Sequence, residues 1–151
     1  LDEIQSFDKI ILSPGPGIPD EHCILNKLLK EFHQSKSILG ICLGHQSIAE
    51  YFGAQLVNLI DVKHGVATTL THFSNCILFN NVPNSFKVGH YHSWVVSESS
   101  FPDSLEITSK NSDGIIMSIQ HKEFDIKGVQ FHPESVLTEY GMKIIENWLL
   151  S

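Results

Sequence analysis

Apolar residues fall along this chain in short blocks whose spacing changes from one part to the next. Residues 9–13 (KIILS) hold a short apolar run that reads as a buried strand. Pro14-Gly15-Pro16-Gly17 ends that run, because two prolines and two glycines continue neither strand nor helix. Asp20 is placed to cap a helix over 21–34, where Ile24, Leu25, Leu28, Leu29 and Phe32 share one face at helical spacing. Residues 37–41 (SILGI) read as a second buried strand and 45–52 as a second helix. Strand, helix, strand, helix implies parallel pairing through right-handed crossovers.

The middle of the chain is patterned differently. Short β-like runs at 55–59, 66–72, 76–79 and 87–97 are separated by turns such as Asn80-Asn81-Val82-Pro83-Asn84. Residues 105–109 and 115–121 flank Asn111-Ser112-Asp113-Gly114, whose Asp-Gly step predicts a hairpin. A last short strand over 128–131 leads into His132-Pro133-Glu134-Ser135. A closing helix then begins at Thr138 or Glu139, with Met142, Ile145, Trp148 and Leu149 as its apolar stripe. The pattern predicts an α/β fold: an open mixed, mainly parallel sheet flanked by helices, in one domain spanning residues 1–151.

Composition narrows the function classes. The chain is 42% hydrophobic and 18% charged, with a net charge of −7, which argues against a nucleic-acid or anionic-membrane surface. No run approaches the roughly 18 apolar residues of a membrane span, and no segment resembles a signal peptide. Cys23, Cys42 and Cys76 are odd in number and widely spaced, which fits free thiols in a reducing cytoplasm. Cys23 and Cys76 have neither flanking glycines nor a nearby base and read as inert core residues. His90 and His92 alternate with Tyr91 and could face one side as metal ligands, but no third ligand is evident, so no metal is expected.

Cys42 differs from the other two cysteines. Gly40-Ile41-Cys42-Leu43-Gly44 places it between glycines at a strand-to-helix junction, the arrangement of a nucleophile elbow. The helix start aims N–H groups at the sulfur and favours thiolate. A thiol still needs a base, and His132 fits: it lies at the end of a strand, with Glu134 two residues on to orient its ring. Both sites fall at carboxyl ends of strands, where active sites of open α/β sheets gather. The Leu43 N–H and a glycine N–H from the Pro14–Gly17 loop are candidate oxyanion donors.

Ser13-Pro14-Gly15-Pro16-Gly17, Gly40-Ile41-Cys42-Leu43-Gly44-His45-Gln46 and Gln130-Phe131-His132-Pro133-Glu134-Ser135 occur in the order seen in class I (triad) glutamine amidotransferases. With Lys63-His64-Gly65 and Tyr91-His92-Ser93-Trp94, the chain most resembles the anthranilate synthase component II and aminodeoxychorismate synthase component II group.

The resemblance implies a flavodoxin-like amidotransferase fold and a set of roles. Cys42 would be the nucleophile, His132 its general base and acid, and Glu134 the residue orienting His132. Gly15, Pro16 and Gly17 would form the glutamine-binding oxyanion loop, Gln46 would contact bound glutamine, and the Ser93 and Trp94 backbone would hold its amino-acid portion. Trp94 stands where the family commonly has Leu, a change that backbone contacts tolerate. The implied partners are L-glutamine and a chorismate-binding synthase subunit. Anthranilate synthase is the first expectation and aminodeoxychorismate synthase the second. This subunit itself is expected to need no cofactor, the synthase being the one to use Mg2+.

The glutaminase domain of GMP synthetase and the small subunit of carbamoyl-phosphate synthetase fit less well. The rival classes are a catalytically silent regulatory subunit, a γ-glutamyl hydrolase and a cysteine peptidase. Class I subunits of this group begin with a strand and helix carrying an Asp-x-Tyr-Asp-Ser-Phe-like motif. Nothing of that kind precedes Leu1, so an N-terminal portion of the domain is expected to be missing here.

Overall fold

The computed structural model describes all residues, Leu1–Ser151. Seven strands form one sheet: β1 (Lys9–Leu12), β2 (Ser37–Ile41), β3 (Leu56–His72), β4 (Ser85–Val96), β5 (Leu105–Asn111), β6 (Ile116–His121) and β7 (Ile126–Val129). Across the sheet they run β1-β2-β7-β6-β5-β3-β4. Three helices flank it: α1 (Cys23–Phe32), α2 (Leu43–Tyr51) and α3 (Gly141–Leu149). None is long and apolar enough to cross a membrane.

The mixed α/β architecture is as expected, with a smaller parallel share. Only β1–β2 and β2–β7 pair in parallel. The β3–β4, β3–β5, β5–β6 and β6–β7 pairs are antiparallel, because β3 to β7 follow one another with no α-helix between them.

Side chains of β2 alternate between two cores. Ile38 joins Ile10, Leu12, Leu28, Leu29, Phe32, Ile48 and Ile126 beneath α1 and α2. Leu39 and Ile41 join Leu78, Phe79, Met117, Val129, Phe131, Ile144 and Trp148 beneath α3. The strands at the centre are therefore buried on both faces and read as continuous apolar runs.

Several elements depart from the sequence pattern. Residues 55–59 and 66–72 are parts of one long strand, β3, which follows β4 through irregularities between Asn58 and Lys63 and between His64 and Val66. Residues 76–79 are not a strand: Ile77–Phe79 is a 3-10 turn whose Leu78 and Phe79 pack into the core under α3. Asp20 lies in a 3-10 turn, Pro19–Glu21, and α1 starts only at Cys23, with no side-chain cap. The apolar stripes are also narrower than periodicity suggests. Leu28, Leu29 and Phe32 of α1 are buried while Ile24 is exposed, and in α3 Ile144 and Trp148 are buried while Met142 and Leu149 face solvent. Cys23 is exposed, not a core residue, because the start of α1 lies outside the packed stripe.

Candidate active site

Strand β2 ends at Ile41 and α2 begins at Leu43, so Cys42 alone makes the turn. Its φ of 52° and ψ of −99° are strained for a side chain with a Cβ. The turn is held from both sides. Cys42 N–H donates to Val129 O at 2.8 Å, and Cys42 O accepts from Gln46 N–H at 3.0 Å.

Glycines make room for this geometry. Gly40 and Gly128 are paired neighbours on β2 and β7. A Cβ on Gly40 would stand 2.5 Å from the Gly44 backbone, and one on Gly128 would stand 2.8 Å from His45 Nδ1. The first turn of α2 thus rests on a floor of bare backbone, and that contact lets a helix leave the strand at so sharp an angle.

The elbow opens into a cavity of about 170 Å³. Gly15, Pro16, Gly17, Cys42, Leu43, Gln46, Ser93 and Trp94, eight of the ten sequence-predicted site residues, line it together. They come from the loop after β1, the β2–α2 junction and the end of β4. The loop sits close to the elbow: a Cβ on Gly15 would be 2.9 Å from Leu43 Cδ2. Gly17 has φ 80°, a left-handed conformation suited to glycine.

His132 and Glu134 lie beside this cavity, not in its wall. They line a neighbouring one, and Tyr91 belongs to both. The Tyr91 and His132 rings pack edge to face at 5.0 Å. His132 Nδ1 and Glu134 Oε1 are 2.7 Å apart, which leaves Nε2 as the free ring nitrogen. The backbone also fixes the histidine. His132 N–H donates to Gly89 O at 3.1 Å, and Thr138 Oγ1 donates to His132 O at 2.6 Å. The expected hydrogen bond from His132 to the sulfur is not formed: Nε2 is buried with no partner. Hydrogen bonds at reacting groups are often long or unmade before substrate enters.

The sulfur's side-chain partner is instead Gln130, whose Nε2 donates to Cys42 Sγ at 3.6 Å. Sequence inspection passed over Gln130 as a strand residue. Its position one residue before Phe131-His132 on a fully buried segment was the available signal.

The thiol does not rest as a thiolate, contrary to what the helix start alone suggests. Burial pushes Cys42 up to about 11, the Leu43 N–H opposes the rise, the Glu134 charge adds to it, and Gln130 opposes it. Desolvation outweighs the helix terminus here, so proton removal must accompany reaction.

Buried histidines stand beside the cavity, and one of them, His92, forms part of its wall. Thr68 Oγ1 and His90 Nε2 share a hydrogen bond of 2.6 Å, and His90 Nδ1 and His92 Nε2 share one of 3.1 Å. His92 Nδ1 is left buried without a partner. His45, fully buried in the first turn of α2, makes no side-chain hydrogen bond, and burial pushes its pKa down to about 3. Burial also lowers the pKa of His90 and of His92.

These depressions have a definite sign. Below about pH 6.5 unfolded histidines bind protons that these folded ones refuse, so the unfolded state gains. Stability is therefore complete above that pH and declines as pH falls toward 4, by several kcal/mol on the order of magnitude of three shifted groups. Urea midpoints measured at pH 7, 6 and 5 should fall in that order, and a flat series would contradict neutral burial.

The glutamine amidotransferase class-I family model matches residues 1–151. A Haemophilus influenzae protein provisionally named anthranilate synthase component II is 48% identical over 145 residues, covering 96% of this chain and 75% of that one. Aminodeoxychorismate synthase component 2 of Klebsiella aerogenes is 41% identical over 141 residues, covering 93% and 75%. The bifunctional protein TrpGD of Thermotoga maritima is 47% identical over 140 residues, covering 93% of this chain but 24% of that longer one. Among solved structures, a Thermoplasma acidophilum protein provisionally assigned to GMP synthase superposes with a TM-score of 0.86 at 28% identity, covering 98% of this chain and 74% of that one.

Proposed function

Since the chain belongs to the class I glutamine amidotransferases, we propose that it hydrolyses L-glutamine to glutamate and hands the ammonia to a chorismate-using synthase subunit. The observation that carries this reading is the single cavity bounded by the Gly15–Gly17 loop, the Cys42 elbow, Gln46 and the Ser93-Trp94 backbone.

In the proposed reaction, Cys42 Sγ attacks the side-chain amide carbon of glutamine while its proton passes to His132 Nε2. The Leu43 N–H and the loop N–H groups receive the developing oxyanion. His132 then gives the proton to the departing nitrogen, leaving ammonia and a γ-glutamyl thioester. Water, deprotonated by His132, attacks the thioester carbonyl and releases glutamate and the Cys42 thiol. Glu134, 2.7 Å from Nδ1, orients the ring and stabilises its charged form. These steps call on no cofactor held by this chain. The Mg2+ requirement is assigned to the synthase.

Tryptophan biosynthesis, through anthranilate synthase, is the preferred destination, supported by relatives at 48% and 47% identity. Aminodeoxychorismate synthase, which would serve folate biosynthesis, is the second, supported by a relative at 41%.

The resting geometry supports control by the partner. With the thiol raised to about 11 and no His132–sulfur hydrogen bond, the site is incomplete until something brings the two together. Glutamate release is therefore expected to be weak from the protein alone and to rise roughly tenfold or more when synthase and chorismate are added. Full activity of the isolated protein would refute partner control. Failure of 6-diazo-5-oxo-norleucine to alkylate Cys42 in the complex would refute the glutaminase reading itself.

A further inference from the structure

Gln130 follows the last residue of β7 and is fully enclosed, with its N–H donating to Met117 O at 2.8 Å. An uncharged amide placed at this depth must satisfy both of its ends. Its two ends meet different parts of the site. Nε2 donates to Cys42 Sγ at 3.6 Å, and Oε1 accepts from Gln46 Nε2 at 3.3 Å. Gln46 Nε2 also donates to Trp94 O at 2.9 Å.

The direction of every bond in this chain is forced by its first member. A backbone carbonyl can only accept, so Gln46 must turn its NH2 toward Trp94. That same NH2 faces Gln130, so Gln130 must answer with its oxygen. Its own NH2 is then the end left for the sulfur. Flipping either amide would set two donors or two acceptors against each other. The Trp94 carbonyl therefore dictates, through two side chains, that the sulfur receives an N–H.

We propose that Gln130 is a further residue of the nucleophile's machinery: a fixed N–H donor that holds the Cys42 sulfur and favours its thiolate, with its polarity set by Trp94 through Gln46. This rests on the reading of Cys42 as the nucleophile. His132 makes no hydrogen bond to the sulfur before reaction, so Gln130 is the side chain that keeps the thiol aimed while Gln46 and Trp94 border the same cavity. An N–H donated to sulfur stabilises the anion more than the thiol, and this contact partly counters the burial that raises Cys42. The donor is useful because it needs no charge, and a buried cation there would repel the imidazolium formed at His132.

The test is the pH profile of Cys42 alkylation by iodoacetamide, followed peptide by peptide in purified wild-type protein and in Gln130→Met. Methionine preserves length and volume and removes the donor. The Cys42 profile is expected to move up by about one pH unit, with alkylation at pH 8 slowed roughly three- to tenfold. Exposed Cys23 and buried Cys76 serve as internal references and should not move. Faster Cys76 alkylation with an unshifted Cys42 profile would mean that Gln130 only supports packing, and would overturn the proposal. So would three unchanged profiles. If Gln130→Met does not fold, Gln130→Leu, which removes the donor without adding a charge, carries the same expectation. Labelling of wild-type Cys42 by 6-diazo-5-oxo-norleucine, in the complex with the synthase and chorismate, is run alongside. Labelling with no Gln130 effect sinks this inference alone, and no labelling sinks the reading beneath it.

Discussion

Cys42→Ala is expected to abolish glutamate release from glutamine, lowering turnover by on the order of 10⁴-fold or more even with the synthase present. The size of the effect follows from covalent catalysis. Without the sulfur no thioester forms, and the remaining oxyanion donors can assist only direct attack by water. Cys42→Ser should fare little better, since burial that raises a thiol to about 11 leaves a hydroxyl, a far weaker acid, without a usable anion. The matched control is Cys76→Ala. Cys76 is 3% exposed and belongs to the same apolar core as Cys42, so its loss costs comparable packing. It should leave glutamine turnover intact. A Cys42→Ala protein that still releases glutamate at the wild-type rate, measured by coupled glutamate dehydrogenase assay, would remove the thiol from the mechanism.

The second large effect is on folding. In Gly44→Ala the new Cβ would lie 2.2 Å from Leu12 O, 2.6 Å from Leu12 Cβ and 2.8 Å from Leu12 C. These are mostly backbone atoms of β1, which is held in register by β2, so neither side can yield without moving a strand. Overpacking of this kind costs roughly 3 kcal/mol or more. Gly53→Ala offers the contrast. Its Cβ would meet nothing within 4 Å, and only the strain of a φ of 102° remains. Urea denaturation should place Gly44→Ala well below Gly53→Ala in stability. Equal midpoints would mean that α2 shifts freely on the sheet, and the elbow would then owe its shape to something other than close packing.

Much of the site was legible because its residues announce themselves locally. A cysteine between glycines at the end of SILGI, and a histidine ending a strand two residues before a glutamate, need no knowledge of distant contacts. The Gly15–Gly17 loop was legible in the same way, as the segment that ends a strand, whereas Gln46, Ser93 and Trp94 were expected only from the family resemblance. What the pattern hid depends on tertiary context. Gln130 reads as one more strand residue until β7 is laid beside β2. The thiol's protonation could not be judged from the helix start, because the opposing desolvation comes from core residues far along the chain. Residues 76–79 are apolar enough for a strand, yet a tight turn that tucks Leu78 and Phe79 under α3 buries them as well. The exposure of Ile24 and Met142 shows the same limit: periodicity says which residues share a face, but not how much of that face is covered.

The strand order also sets a timetable for biogenesis. Strand β2, which leads into Cys42, has as one neighbour β7, made only after β3 to β6, and Cys42 waits 88 positions for Gln130. Until β7 emerges from the ribosome, the edge of β2 that it covers stays open along Ile38, Leu39 and Ile41. Such an edge invites pairing with other nascent chains. Closing the long loop between β2 and β7 is also the kind of nonlocal step that slows folding. The thiol therefore cannot become part of a working centre while the chain is incomplete, because the pairing that shields β2 also delivers His132 and Glu134 to its side.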